Sequence, residues 1–225
     1  MTTVTPAEIA TLTERVAVLV DRAEITGLID RYLLSLDTLP GGDGFDDDWA
    51  RSLFTEDIEI TSPVGEYRGI KGLAASEQAT MAKFARTQHL GANCLIGLDG
   101  DRATVRWNAL MTHVHLPSTQ AARGAEPGGH FDVGGTFTGE VVRTADGWRF
   151  RRLEIRAVWT NGQGPLALTP QAAETLRSLA PTSANSSPAA RSSTTESGRR
   201  RSSSPSGTRR EPASPAAGGR PERSG

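Results

Sequence analysis

Apolar residues recur at Ile9, Leu12, Val16, Leu19 and Val20, a spacing of three and four that draws one face of a helix. Ahead of them Thr5-Pro6-Ala7-Glu8 reads as a helix start, with Thr5 as N-cap, Pro6 in the first turn and Glu8 closing a capping box. A second helical pattern, Ile25, Leu28, Ile29, Tyr32, Leu33 and Leu36, ends before Pro40-Gly41-Gly42 and leaves Asp37 in its last turn. A carboxylate there opposes the helix dipole at a cost of a few tenths of a kcal/mol or more, roughly, so a compensating partner is expected. Asp46-Asp47-Asp48 before Trp49 to Phe54 predicts a short helix with its charges at the favourable end.

The period then changes. Residues 58–61 alternate like a strand, and 65–69 form a turn with a short returning strand. Residues 70–84 predict a third helix, rich in Ala, Glu and Lys. From there the pattern is strands: 87–98, a tight Asp-Gly turn, 103–116, a long polar loop over 117–129, then 131–144, a second Asp-Gly turn and 148–160. Helices first and long antiparallel strands afterwards give an α+β class, with helices packed on one face of the sheet. Strands of a dozen residues must bend, and a curved sheet around helices leaves a cavity between them.

Composition changes the picture at the end of the chain. After Leu179 the 225-residue sequence contains no Leu, Ile, Val, Met or aromatic residue, so 178–225 is expected to be a disordered Ser/Pro/Arg-rich tail. The charge is split: nine arginines against three glutamates from Arg177 onward leave the preceding part at −7 within a total of −1. An acidic folded part argues against a nucleic-acid-binding core. The basic tail, with Arg199-Arg200-Arg201 among serines, is either solvated linker or a contact for an anionic partner. The single cysteine, Cys94, excludes an internal disulfide and reads as a small buried residue in an apolar run. With no long apolar stretch and no basic N-terminal region, a cytoplasmic protein and no membrane partner are expected.

Several strings in their order resemble the SnoaL-like branch of the nuclear transport factor 2-like superfamily. They are Arg22-Ala23-Glu24-Ile25 leading through Tyr32 to Asp37, Phe54 with Asp57, Gly69 ahead of the third helix, and Thr87-Gln88-His89 with Asn93. Gly134-Gly135-Thr136-Phe137-Thr138 and Arg143 followed by Asp146-Gly147-Trp148-Arg149-Phe150 complete the set. The resemblance implies a cone-shaped sheet wrapped around N-terminal helices. It divides the chain into a helical extension (1–20), the SnoaL-like domain (21–165), a terminal segment (166–177) and the tail.

Two enzymes of this superfamily share more than the fold. Hexachlorocyclohexane dehydrochlorinase is similar at Arg22-Ala23, Asp37, His89, Gly91, Asn93, the 134–138 string and Arg143; scytalone dehydratase is similar at Asp37, Arg86 to His89, and His113. In both, an aspartate near the end of the first family helix and a central-strand histidine act as an acid/base pair for elimination, which the resemblance maps onto Asp37 and His89. The dehydrochlorinase has a lysine where this chain has Tyr32, so its substrate does not transfer.

On chemistry alone, a carboxylate bonded to one imidazole nitrogen fixes the tautomer and raises the basicity of the other, which can then take a proton. The plainer alternative is a solvated helix-end aspartate and a satisfied, half-buried histidine. Tyr32 is either a hydroxyl donor at the cavity or a core aromatic. His113 and His115 alternate about Val114; without a third ligand at a supporting spacing no metal is expected, and His113 is a candidate second polar group through the dehydratase resemblance. Arg143 either holds an anionic group of the substrate or makes a salt bridge on the solvent face. Asn93 and Trp159 complete the substrate-binding candidates, and Gly134-Gly135 reads as a strand bulge.

The expected function is a cofactor-independent lyase or isomerase acting on a small apolar or ring-containing molecule such as a polyketide. The alternative is a non-catalytic ligand-binding or scaffolding domain of the same fold. A homo-oligomer, dimer or trimer, is expected as well.

Overall fold

Why Asp37 comes to lie against the strand that carries His89, an edge strand of the sheet and not the central one expected, is visible in how the first helix meets the sheet. In the computed structural model, residues 4–37, 44–123, 129–166 and 168–180 are described, and all belong to one compact unit, Met1–Ser183. The expected tail beyond Ala180 and the Pro40-Gly41-Gly42 stop lie outside the described residues. The two N-terminal helical patterns are one continuous helix, α1 (Pro6–Leu36), started by the expected capping box of Thr5 and Glu8. Its buried residues are Ile25, Leu28, Ile29, Tyr32, Leu33 and Leu36, while Ile9, Leu12, Val16 and Leu19 are exposed. Amphipathic spacing predicted a buried face for the first half as well; the helix buries side chains only where it crosses the sheet.

Helix α2 (Asp47–Leu53) is N-capped by the Asp46 side chain. Strand β1 (Phe54–Ser62) turns into β2 (Gly65–Arg68), and helix α3 (Leu73–Met81) is shorter than expected because Phe84 already begins strand β3 (Phe84–Asp99). Strand β4 (Arg102–His115) follows. The expected polar loop then begins as a short helix, α4 (Pro117–Arg123), before β5 (His130–Thr144) and β6 (Gly147–Asn161). A last helix, α5 (Pro170–Ser178), packs against β6; it falls in the segment expected to lie beyond the domain.

The strands form one mixed sheet in the order β2-β1-β6-β5-β4-β3. All neighbours are antiparallel except β1 and β6, whose parallel pairing corrects the expectation of a wholly antiparallel sheet. Strands closed by two-residue turns pair with their sequence neighbours, but β1 and β6 are joined only by tertiary contact. Register shifts at Ala92/Leu95 and at Gly134/Gly135 mark bulges, the second at the expected glycine pair. The inner face of β4 (Ala103, Val105, Trp107, Ala109, Met111, His113, His115) is buried, with alternate residues outside. Trp107 stacks on Phe137 at 4.9 Å, and Tyr32 meets Phe54, Phe137 and Phe150 edge to face. This aromatic floor holds α1 against the sheet.

Candidate active site

Helix α1 ends on β3 through a run of backbone-directed contacts. The Thr87 hydroxyl donates to the Leu36 carbonyl at 2.7 Å, one of the helix's orphan C-terminal carbonyls. Two residues along the strand, on the same face, the His89 backbone N–H donates to Asp37 Oδ2 at 2.9 Å, and His89 Nδ1 lies 2.7 Å from Asp37 Oδ1. Two residues further, Gly91 lets α1 come close: a Cβ there would meet Leu33 Cδ1 at 2.6 Å. Residues 87, 89 and 91 thus form one inward row, and the partner expected for a carboxylate at a helix C-terminus is the whole of His89.

A carboxylate only accepts, so His89 Nδ1 carries the proton and Nε2 is left as an acceptor. Among the described residues Nε2 has no hydrogen-bond partner. The His89 side chain is 3% exposed and that of Asp37 22%, so the pair is shielded but open on one side. That side is a cavity of about 360 Å³, lined by His89, Tyr32, His113, Met111, Phe131 and Phe137, among others. Apolar side chains make up most of the rest: Leu36 and Leu73 from helices, Ile60, Val133, Ile155 and Ala157 from strands, Leu168 and Leu176 from the C-terminal segment.

His113 is buried beside His89, the rings edge to face at 5.4 Å, with Phe84 lying over it at 4.4 Å. Its Nδ1 donates to the Phe131 carbonyl at 3.0 Å. Burial, reinforced by the neighbouring His89, pulls its pKa down to about 4, so it is neutral at neutral pH and its Nε2 can only accept. The Tyr32 hydroxyl is pushed well above its usual range by burial and then by the charge of Glu77, and stays a donor. His115 points to the same side of β4 as His113 but accepts from Arg123 Nη1 at 3.2 Å, outside the cavity. Among the described residues no three His, Cys, Asp or Glu side chains cluster as a metal site.

Three candidates lie elsewhere. Arg143 does not line the cavity: its guanidinium bonds Asp21 at 2.5 Å and Asp101 at 2.9 Å and lies 4.5 Å over the Trp148 ring. The salt-bridge alternative describes it, because the position two residues after the buried Val141 on β5, past the register shift at Glu140/Val141, faces Asp21 in the middle of α1 and not the cavity. Asn93 sits at φ +56° on the β3 bulge, exposed, with its carbonyl accepting from Asn108. Trp159 is 43% exposed, its indole lying flat on Gly134, where a Cβ would sit 2.1 Å from the ring. Cys94 is exposed on the same bulge as Asn93, not buried, because the register shift turns its side chain out of the core.

Among the cavity residues that escaped the sequence reading, two are charged and come from the region of α3. Glu77 on α3 and Lys83 just after it line the pocket. Glu77 was legible in principle, as the charged residue one turn from both Leu73 and Met81 on the buried stripe of α3.

A mixed sheet packed against an N-terminal helix, with an apolar cavity opening on a histidine–aspartate pair, defines an α+β fold with an internal pocket. The model of the SnoaL-like domain matches residues 17–154, and the chain belongs to that family. Among solved structures, a protein of Kribbella flavida is similar at 26% identity and TM-score 0.56, covering 64% of this chain and 94% of its own. A scytalone dehydratase-like protein of Novosphingobium aromaticivorans shares the fold at 23% identity and TM-score 0.53, over 68% and 93% of the two chains. A type 2 hexachlorocyclohexane dehydrochlorinase shares it at 19% identity and TM-score 0.52, over 68% and 95%. No curated protein matches the chain. Among the described residues no helix is long and apolar enough to cross a membrane.

Proposed function

We propose that this protein is a cofactor-independent enzyme that takes a proton from a carbon of a small, largely apolar ring compound. Loss of a leaving group from the neighbouring carbon makes the reaction an elimination, of lyase type; without a leaving group the same step is an isomerisation. The observation that carries the reading is the 2.7 Å contact of His89 Nδ1 with Asp37 Oδ1, with Nε2 unpartnered beside an apolar cavity. Asp37 orients the ring and stabilises the imidazolium that forms, and the scarcity of competing water strengthens that pairing. Tyr32 donates to charge developing on the substrate, while neutral His113 keeps the neighbouring histidine from facing a second cation. Two of the three neighbours carry the names of eliminating enzymes, which agrees with the class and says nothing of the substrate.

Thermal-shift screening of bicyclic and phenolic ring compounds would supply a ligand, and hits would be assayed for elimination. Asp37→Asn and His89→Gln should each lower turnover by about 10²–10⁴-fold with the melting temperature nearly unchanged. The double variant should be hardly worse than either, since groups acting as a unit are not additive. Full turnover in His89→Gln would remove His89 as the base, and hits that bind without being turned over by the wild type would leave a ligand-binding domain in place of an enzyme.

A further inference from the structure

Helix α3 buries Leu73, Ala74 and Met81. Leu73 and Met81 are eight residues apart, and the position between them, four residues from each and on the same face, is Glu77. For packing alone this is the wrong residue: a charge brought to an apolar face without a partner is costly, and Leu or Met would serve the helix better. Glu77 is half-buried, lines the cavity, and has no hydrogen bond or ion pair among the described residues. The charged and titratable groups sharing that cavity are Tyr32 from α1, Glu66 and Tyr67 from β2, Lys83 after α3, His89 from β3 with Asp37 behind it, and His113 from β4. Everything needed to use Glu77 as a ligand contact is present, and nothing in the fold uses it.

We propose that Glu77 is the oxygen-binding acid of this cavity: its carboxyl, carried on the inward face of α3 without a protein partner, donates a hydrogen bond to a hydroxyl or carbonyl oxygen of a ring-sized ligand. Burial pushes the carboxyl up to about 7, which keeps a large neutral, donating fraction at neutral pH. Lys83 on the same wall disfavours an ammonium ligand, and a halogen is a poor acceptor for an acid proton. The ligand class is therefore an oxygenated ring compound, a ring alcohol or ketone. Resting on the elimination reading, the step on a ring alcohol is a loss of water, while a ketone oxygen only accepts the hydrogen bond. His89 Nε2 takes the carbon-bound proton and the C–H electron pair becomes the new C=C bond. The adjacent C–O bond breaks, and its pair leaves on oxygen, which takes the Glu77 proton and departs as water. The His89 imidazolium then returns its proton through solvent to the Glu77 carboxylate, restoring both groups.

The test uses 1-tetralone, which only accepts hydrogen bonds, and tetralin, its hydrocarbon counterpart, titrated by ligand-observed NMR from pH 5 to 9. The full chain should bind the ketone about three- to tenfold tighter than the hydrocarbon at low pH, the worth of one net hydrogen bond. That preference should fall away as pH passes about 7, where the acid ionises. Glu77→Gln, whose amide donates at every pH, should keep the preference flat; Glu77→Leu should abolish it. His89→Gln separates the two readings, because it should leave the ketone preference and its pH dependence intact whatever it does to turnover. A wild-type preference that does not change with pH, its survival in Glu77→Leu, or failure of the ketone to bind would overturn the proposal. If Glu77→Leu does not fold, carboxyl ¹³C titration of the wild type decides: saturating 1-tetralone should raise the Glu77 pKa, and no change sinks the idea.

Discussion

A histidine that stays neutral and a carboxyl that stays protonated leave opposite marks on stability. In the folded chain His113 titrates at about 4 against 6.5 for the ordinary side chain. As pH falls below 6.5 the unfolded chain takes up that proton and the folded one does not, so His113's contribution is full above 6.5 and is lost towards 4. The depression amounts to on the order of 3 kcal/mol. Glu77 runs the other way. Its folded carboxyl holds a proton up to about 7 against 4.5, so its contribution is full below 4.5 and is lost as pH rises to 7. Melting temperatures measured from pH 4 to 7.5 should fall less on the acid side in His113→Gln than in wild type, and more in Glu77→Gln. Parallel curves for all three proteins would contradict both assignments. Asp37 and His89 were named from sequence because each sits at a recognisable place, a helix end and a strand with a family string. Glu77 was missed because a glutamate in an Ala- and Glu-rich helix looks solvated until the helix's inward face is known.

Among the elements, the ends of the chain reverse their expected weights. The amphipathic first half of α1 has its apolar residues exposed, whereas α5, placed by sequence beyond the domain, closes the cavity with Ala172 and Leu176. It is tied down through Thr160: the hydroxyl donates to the Leu176 carbonyl at 2.9 Å and the backbone N–H to the Leu179 carbonyl at 3.0 Å. Leu176→Ala should cost about 2–4 kcal/mol, because it removes a buried side chain and widens a cavity. A chain ending at Pro165 should melt well below the full chain, by about 5 °C or more, while one ending at Ala180 should stay within about two degrees. Differential scanning calorimetry of the three lengths checks this; a chain ending at Pro165 that is as stable as the full one would show that α5 only rests on the sheet. Periodicity identified the strands and their turns, since alternation and Asp-Gly pairs are local. It did not reveal the parallel partner of β1, which depends on what lies beside it after folding.

At the scale of the whole molecule, one row of side chains crosses the outer face of the sheet. Leu90 pairs with Leu110, Leu110 with Gly134, and Gly134 with Trp159, so four strands present an apolar line in register. Leu90, Leu110 and Trp159 are 54%, 42% and 43% exposed and lie side by side, an apolar line open to a partner. The proposed homo-oligomer would bury this row against its copy by two-fold symmetry. Sedimentation of the wild type at micromolar concentration should give a dimer, and Leu110→Lys, placed mid-row, should shift it to monomer without lowering turnover. A monomeric wild type would mean that the row has another use.

What the sequence by itself determined is the set of local facts: the α+β class, the strand turns, the capping box of α1, the Gly134-Gly135 bulge, and a family whose strings single out Asp37 and His89. These follow from backbone preferences and side-chain periods that act over a few residues. Only the tertiary structure decided that Arg143 is held by Asp21 and Asp101, that Trp159 faces outward, and that Glu77 and α5 belong to the cavity. Each of those depends on which face of an element meets which neighbour, and a bulge or shift of one residue in a strand reverses the face without altering the pattern that predicts the strand.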